Sequence, residues 1–142
     1  MTTCCFWALF GANRSKVFNP EHRGSVSTGH ANSAANMLSR LETMALMGRE
    51  LPLAAVRSQI ASALDLTVHL GRLPDGRRCV LSVDEILGME GGEIRIESIF
   101  RYERETGLVF TGWQPENTQK WEEVFGALPR IDRQEGFYLS EA

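Results

Sequence analysis

One histidine stands where a run of small residues meets an amphipathic helix. Residues 24–31, GSVSTGHA, predict a short buried strand in which only Val26 has bulk. His30 lies at the end of this strand, and Asn32 or Ser33 then supplies a side-chain oxygen that caps the helix. Helix N-termini favour anions such as phosphates. The pattern therefore predicts an imidazole beside a place that suits a phosphate.

Two other interpretations of this histidine stay open. A lone histidine after serine, threonine and glycine is more often a hydrogen-bonded structural residue than a catalytic one. An enzyme of another class that uses His30 is the second possibility. However, the chain contains no G-x-S-x-G sequence, and Ser27-Thr28-Gly29 before the histidine is not a nucleophile elbow.

Composition and cysteine spacing give few further candidates for chemistry. Cys4, Cys5 and Cys79 match neither a metal site nor a disulfide framework, so no metal site is predicted and a reducing cytoplasm is the default. A metal site of Cys4, Cys5 and His22 is the less favoured alternative. A net charge of −3 over 142 residues gives no basic surface for nucleic acid. The apolar run at residues 4–12 is far too short to span a membrane.

Two consecutive helices are predicted to position the histidine. Apolar residues recur at helical spacing in both segments: Met37, Leu38, Leu41, Met44 and Ala45 in the first, and Leu53, Val56, Ile60, Ala61 and Leu64 in the second. Gly48 suits the end of the first helix and Pro52 the start of the second. Arg57, which lies off the apolar stripe, is predicted to be a solvated helix residue.

A β-rich region follows the helices. Alternation at residues 66–71 and 79–83 around Pro74-Asp75-Gly76 predicts a hairpin, and residues 94–100 predict a third strand after a reverse turn at residues 88–92. His69 falls on the polar side of its strand, which predicts a surface imidazole. Residues 108–113 predict a further strand, and residues 117–129 predict a short helix with Trp121, Val124, Phe125 and Leu128 on its apolar face.

Residues 24–33 followed by 38–44, LSRLETM, resemble the histidine box of the secretion and pilus-assembly ATPases. Among these proteins the sequence is most similar to the tight-adherence pilus motors of the CpaF type. The similarity continues in the same order through residues 51–53, 56–69, 72–77, 85–91 and 99–100. It implies an α/β fold, the C-terminal fragment of a RecA-like P-loop ATPase domain, with a strand, two helices, a β-hairpin and a further strand.

The resemblance also implies a site. His30 matches the histidine of the box and is expected near the γ-phosphate of ATP, where an imidazole, with an ordinary pKa of about 6.5, suits a contact with phosphate or attacking water. Thr28 and Asn32 are expected to support the nucleotide, and ATP with Mg²⁺ is the implied cofactor. The phosphate-loop pattern G-x-x-x-x-G-K-[ST] occurs nowhere in the 142 residues. We therefore expect the chain alone neither to bind nor to hydrolyse ATP, and its status as an enzyme stays open.

Three regions follow from the extent of the similarity. Residues 24–103 form the part that resembles the ATPase core, residues 104–142 are a tail with a short strand and helix, and residues 1–23 are a non-matching lead predicted to be irregular. We expect the C-terminal part of a motor from a truncated or interrupted gene, or from a mis-set start. Apolar faces around Val26 and Met37 would then lack partners, which predicts marginal stability or self-association.

The family resemblance further implies partners and location. Such motors work as hexamers on the cytoplasmic face of the inner membrane, together with membrane platform proteins of the secretion or pilus system. They couple ATP hydrolysis to protein export or pilus assembly. The alternative function is a non-catalytic binding module that associates with or regulates full-length secretion ATPases.

Overall fold

A computed structural model describes residues 6–11, 25–47 and 50–116, with side chains from residue 27 onward. Six strands and two helices occur in this part of the chain. In order they are β1 (Phe6–Gly11), β2 (Ser25–His30), α1 (Ala34–Leu46), α2 (Leu53–Ala63), β3 (Leu66–Arg72), β4 (Arg78–Glu90), β5 (Glu93–Glu103) and β6 (Gly107–Phe110). The helix predicted at residues 117–129 lies outside the described residues.

The strands form one sheet in the order β2-β1-β3-β4-β5-β6. All neighbouring pairs among the described strands are antiparallel. Short turns join β3 to β4, β4 to β5 and β5 to β6, and such hairpins can only produce antiparallel neighbours. This antiparallel sheet does not by itself show the RecA-like fragment implied by the resemblance, which stays a prediction.

The lead is where the structure differs most from the predicted elements. Phe6–Gly11 forms β1, which lies between β2 and β3 and pairs with both, whereas the sequence predicted an irregular segment here. A short, continuous apolar run is typical of a strand with neighbours on both sides. The apolar run is too short to span a membrane, but it is long enough for a strand of six residues.

Both predicted helices are present, with bounds set by local capping. Ser33, and not Asn32, caps α1, since its hydroxyl accepts a hydrogen bond from the Asn36 amide at 3.1 Å. Met47 ends α1 by donating its amide to the carbonyls of Thr43 (3.1 Å) and Met44 (3.3 Å). The second helix starts directly after Pro52, whose fixed φ suits a helix start.

The helices pack on the middle of the sheet. Leu38 of α1 and Ala61 of α2 form a buried cluster with Ile86 of β4, and Ile94 and Ile96 of β5 pack against it. Met37, for which the sequence predicted a missing partner, is buried beside Ala31 and lies across Gly29, where an added Cβ would come within 2.6 Å of its Cε atom. Small residues in β2 therefore allow α1 to approach the strand that ends at His30.

Both predicted turns are present, but only the first has the predicted extent. Within the first, Leu73 and Arg77 are hydrogen-bonded at 2.8 Å, the Asp75 carboxylate accepts from the Arg77 amide, and Gly76 has a φ of +91°. The second is tighter than predicted, because β4 continues to Glu90 and only Gly91 and Gly92 form the turn. β6 ends at Phe110, shortening the strand predicted at residues 108–113.

Candidate functional site

His30 is the last residue of β2 and its side chain is exposed. Arg40, on the second turn of α1, donates a guanidinium hydrogen bond to the His30 carbonyl. Together with the Ser33 cap, this contact fixes the backbone where the strand becomes the helix. The imidazole therefore lies at a strand-to-helix junction, as the sequence predicted. The prediction of a buried strand was wrong, because Ser27, Thr28 and His30 are exposed.

The other two candidate residues flank this junction. Thr28 is exposed and lies two positions before His30, so both side chains share one face of β2. Asn32 is also exposed and follows the strand, but Ser33 takes the capping role. Thr28, His30 and Asn32 lie within five positions of the sequence, at one end of β2. Their contact with a nucleotide stays a prediction. Within the described ranges, no group of three His, Cys, Asp or Glu side chains has the arrangement of a metal site.

Arg57 has a structural role that the sequence did not predict. Its guanidinium binds the Glu42 carboxylate of α1 through two hydrogen bonds, Nε to Oε1 at 3.0 Å and Nη2 to Oε2 at 3.4 Å. A third hydrogen bond joins Nη1 to the Gly92 carbonyl at 2.9 Å. The prediction of a solvated Arg57 was wrong, because this side chain ties both helices to the β4–β5 turn. A glutamate on α1 opposite an arginine on α2 is a weak sequence signal, since helix pairing must be known first.

Two adjacent carboxylates of β4 are buried and fully engaged. Asp84 accepts hydrogen bonds from the hydroxyls of Ser82, at 2.7 Å, and Ser98. Glu85 points to the opposite face and accepts from the Trp113 indole N–H at 3.0 Å and from the Glu116 amide at 3.1 Å. The sequence signal for Asp84 and Glu85 was an acidic pair inside an otherwise apolar strand. The prediction from alternating apolar residues did not use this signal.

His69 is buried, so the prediction of a surface imidazole was wrong. The residue is only 9% exposed, and β3 is paired on both sides, with β1 and β4. His69 pairs with Ser82, and Thr67 pairs with Asp84, which places the imidazole and the Asp84 carboxylate on one face. Burial lowers the pKa of His69 below its ordinary value, and the negative charge of Asp84 opposes this shift.

The segment after β6 is held on the sheet by Trp113. The Arg95 guanidinium lies over the Trp113 ring, 5.4 Å from its centroid, a cation–π arrangement. Arg95 also lies 3.4 Å from a Glu90 oxygen and 3.5 Å from a Glu97 oxygen. Together with the hydrogen bond to Glu85, these contacts place Trp113 against the sheet. Large aromatic residues are commonly packed in this way.

The described polar clusters do not form one catalytic centre. His30 pairs across the sheet with Phe6, and Phe6 with Leu70, so β1 separates His30 from the His69–Asp84 pair. Buried groups that are already hydrogen-bonded stabilise the fold but leave no reactive group exposed. The imidazole at the end of β2 is exposed, so a ligand can reach it.

The chain is similar to proteins of conjugal transfer. It is 35% identical over 83 residues to a probable conjugal transfer protein, TrbB, of Sinorhizobium fredii, a match that covers 58% of this chain and 24% of the relative. It is 29% identical over 92 residues to putative conjugal transfer proteins from two strains of Mycobacterium tuberculosis, covering 65% of this chain and 25% of each relative. The chain thus spans about a quarter of the length of the curated relatives it matches. No known protein-family profile matches it.

These relatives agree with the secretion-system part of the resemblance but do not distinguish a CpaF-type motor. Of the two helices in the described part of the chain, neither is long and apolar enough to cross a bilayer.

Proposed function

We propose that this chain serves a type IV secretion or conjugation system, as the counterpart of the C-terminal part of a secretion ATPase. The observation that carries the proposal is the 35% identity over 83 residues to a conjugal transfer protein. The histidine-box sequence at residues 24–44 supports it. Finer parts come from the resemblance alone: a RecA-like fold, a CpaF-type motor for pilus assembly or protein export, a hexamer, and platform proteins at the cytoplasmic face of the inner membrane.

In this proposal His30 contributes one edge of a nucleotide site. The imidazole is exposed at the end of β2, while its backbone carbonyl is held by Arg40, so a γ-phosphate can approach the ring without disturbing the fold. Because no phosphate-loop sequence is present, most contacts to ATP and Mg²⁺ come from residues outside these 142. The imidazole then hydrogen-bonds the phosphate or the attacking water and reports the state of the nucleotide.

The experiment measures ATP turnover with the purified chain, with the Sinorhizobium fredii conjugal transfer protein, and with both together. We expect no turnover by the chain alone, and a change in the turnover of the longer protein when the chain is added. His30→Ala removes that change. Ser27→Ala, an exposed residue of the same strand, retains it and serves as the matched control.

Turnover by the chain alone would contradict the proposal. A response that is the same for His30→Ala and the unaltered chain would favour the alternative function, a non-catalytic module that binds or regulates full-length secretion ATPases. The specific observation behind that alternative is the absence of the phosphate-loop pattern from a chain with a folded sheet and a buried core.

A further inference from the structure

The Arg40 side chain makes one hydrogen bond in the described part of the chain, and its partner is the candidate histidine. The Nη1 atom of Arg40 donates to the His30 carbonyl, and Arg40 is exposed. A guanidinium carries five N–H donors and no acceptor. The Nε and Nη2 atoms of Arg40 therefore have donors left for a ligand, directly beside the residue that is expected to contact phosphate.

The charge of Arg40 has no acidic partner among the described residues. Glu42, the acid within α1, is bound to Arg57, and the other described ion pairs involve Arg77 and Arg95. Arg57 uses all three guanidinium nitrogens for contacts within the fold, whereas Arg40 uses one. An exposed guanidinium that no carboxylate neutralises attracts an anion, and its planar fork suits two phosphate oxygens.

A close approach of α1 to β2 brings Arg40 to the histidine. Met37, one turn before Arg40, lies across Gly29, where an added Cβ would come within 2.6 Å of the Met37 Cε atom. Ser33 caps the start of α1, and the Arg40 hydrogen bond ties the second turn back to His30. The guanidinium is thus held beside the histidine before any ligand binds, which lowers the entropic cost of binding.

The end of the sheet at which His30 lies carries further positive charge. Pairing through β1 places His30 in line with the residue two positions before Arg72. Arg72 and Arg78 are exposed and lie directly opposite each other on β3 and β4, where like charges repel. Asp75, the acid of this hairpin, is bound to Arg77. This end of the sheet therefore favours an anion, although the whole chain has a net charge of −3.

We infer that Arg40 is a second phosphate-binding residue of the site proposed for His30. Its Nη1 atom holds the His30 carbonyl, while Nε and Nη2 bind the terminal phosphate of a nucleoside triphosphate. Arginine stays charged at every pH at which proteins fold, so Arg40 attracts the triphosphate, and the imidazole beside it contacts the phosphate or the attacking water. This inference rests on the proposed function.

The first test measures ATP turnover by a mixture of this chain and the Sinorhizobium fredii conjugal transfer protein over a range of ATP concentrations. Arg40→Gln is expected to raise the ATP concentration at which the chain exerts half of its effect by about tenfold, because a charge-assisted contact with phosphate is lost. Arg40→Lys keeps the charge without the fork and is expected to raise it by about threefold.

The matched control is Arg104→Gln, which removes the same charge from an exposed arginine between β5 and β6. Three strands, β1, β3 and β4, separate β5 from β2. This variant is expected to leave the half-effect concentration of ATP unchanged. Circular dichroism melts verify that all variants fold.

A second measurement separates binding of phosphate from support of the His30 backbone. In the unaltered chain labelled with ¹⁵N-arginine, the Nε–H signal of Arg40 is assigned by its loss in Arg40→Lys and is followed in the complex with the longer protein. A non-hydrolysable ATP analogue with Mg²⁺ is expected to shift this signal, whereas ADP with Mg²⁺ leaves it in place because the terminal phosphate is missing. Equal positions with the two nucleotides would overturn the inference, because Arg40 would then only hold the carbonyl.

The outcomes distinguish this inference from the proposed function. If Arg40→Gln acts on turnover as the unaltered chain does while His30→Ala abolishes the effect, the inference fails and the proposed function stands. If His30→Ala also acts as the unaltered chain does, or if the chain has no effect on turnover, the proposed function fails and the inference fails with it.

Discussion

At the scale of single residues, the buried polar groups of β3 and β4 constrain the fold more than the exposed histidine does. His69 and Asp84 share one face of the sheet, and Asp84 is satisfied by the hydroxyls of Ser82 and Ser98. Burial of an imidazole favours its neutral form, and the negative charge of Asp84 opposes this effect at His69. The pair therefore links folding to pH through His69.

Stability is expected to fall as the pH drops through the range in which an unfolded histidine takes up a proton, about 6.5. Burial lowers the pKa of His69 in the folded protein, so below pH of about 6.5 the unfolded chain binds more protons than the folded one. Above that pH, the full contribution of His69 to the free energy of unfolding is present. It is lost as the pH falls toward the lowered pKa of His69. Urea unfolding at several pH values between 7.5 and 5.5 measures this slope.

Two variants check its origin. His69→Gln flattens the dependence, since no titrating group remains at that position. Asp84→Asn removes the charge that opposes the shift, so the pKa of His69 falls further and the loss extends to lower pH. Equal slopes for the unaltered protein and His69→Gln would assign the pH dependence to other groups.

At the scale of elements, the Arg57–Glu42 ion pair joins α1 to α2. Arg57 holds Glu42 and Gly92 at the same time, and both ionic partners are less than a third exposed. Such a pair is screened less than one at the surface. The orientation of the two helices relative to the β4–β5 turn therefore depends on this guanidinium.

A double-mutant cycle with Arg57→Lys and Glu42→Gln is expected to show a coupling free energy of about 1 kcal/mol. Lysine keeps the charge but cannot make the paired hydrogen bonds of the guanidinium. Urea unfolding of the four proteins gives the value. The matched control is Arg77 with Asp75, an exposed pair at 2.8 Å, for which coupling within error is expected. Similar coupling free energies in the two cycles would show that partial burial does not strengthen the Arg57–Glu42 ion pair.

Sequence patterns predicted elements that depend on local periodicity and turn chemistry. The helical spacing of Leu38 and Ala61 gave both helices, and Pro74-Asp75-Gly76 gave the hairpin between β3 and β4. Burial across the sheet was not predicted, because whether His69 is exposed depends on a strand sixty residues earlier. The strand-to-helix junction at His30 and a cap at Asn32 or Ser33 follow from neighbouring residues, so this part of the candidate site was predictable, whereas the exposure of β2 was not. The Arg57–Glu42 tie depends on helix packing and was not.

At the scale of the whole molecule, one sheet carries a helical layer on its middle strands and leaves the imidazole of His30 exposed at the end of β2. The chain spans about a quarter of the length of its relatives. In the proposed function, the imidazole faces a nucleotide that is held mainly by the rest of a larger protein.

The most direct measurement of this account is the NMR signal of the His30 imidazole in the ¹³C-histidine-labelled chain, on addition of Mg²⁺ and a non-hydrolysable ATP analogue. We expect no change for the chain alone, and a clear shift once the longer conjugal transfer protein is present. The buried His69 resonance provides an internal reference that stays in place. A shift of His30 in the isolated chain, or an unmoved His30 in a complex that has bound the nucleotide, would contradict the account.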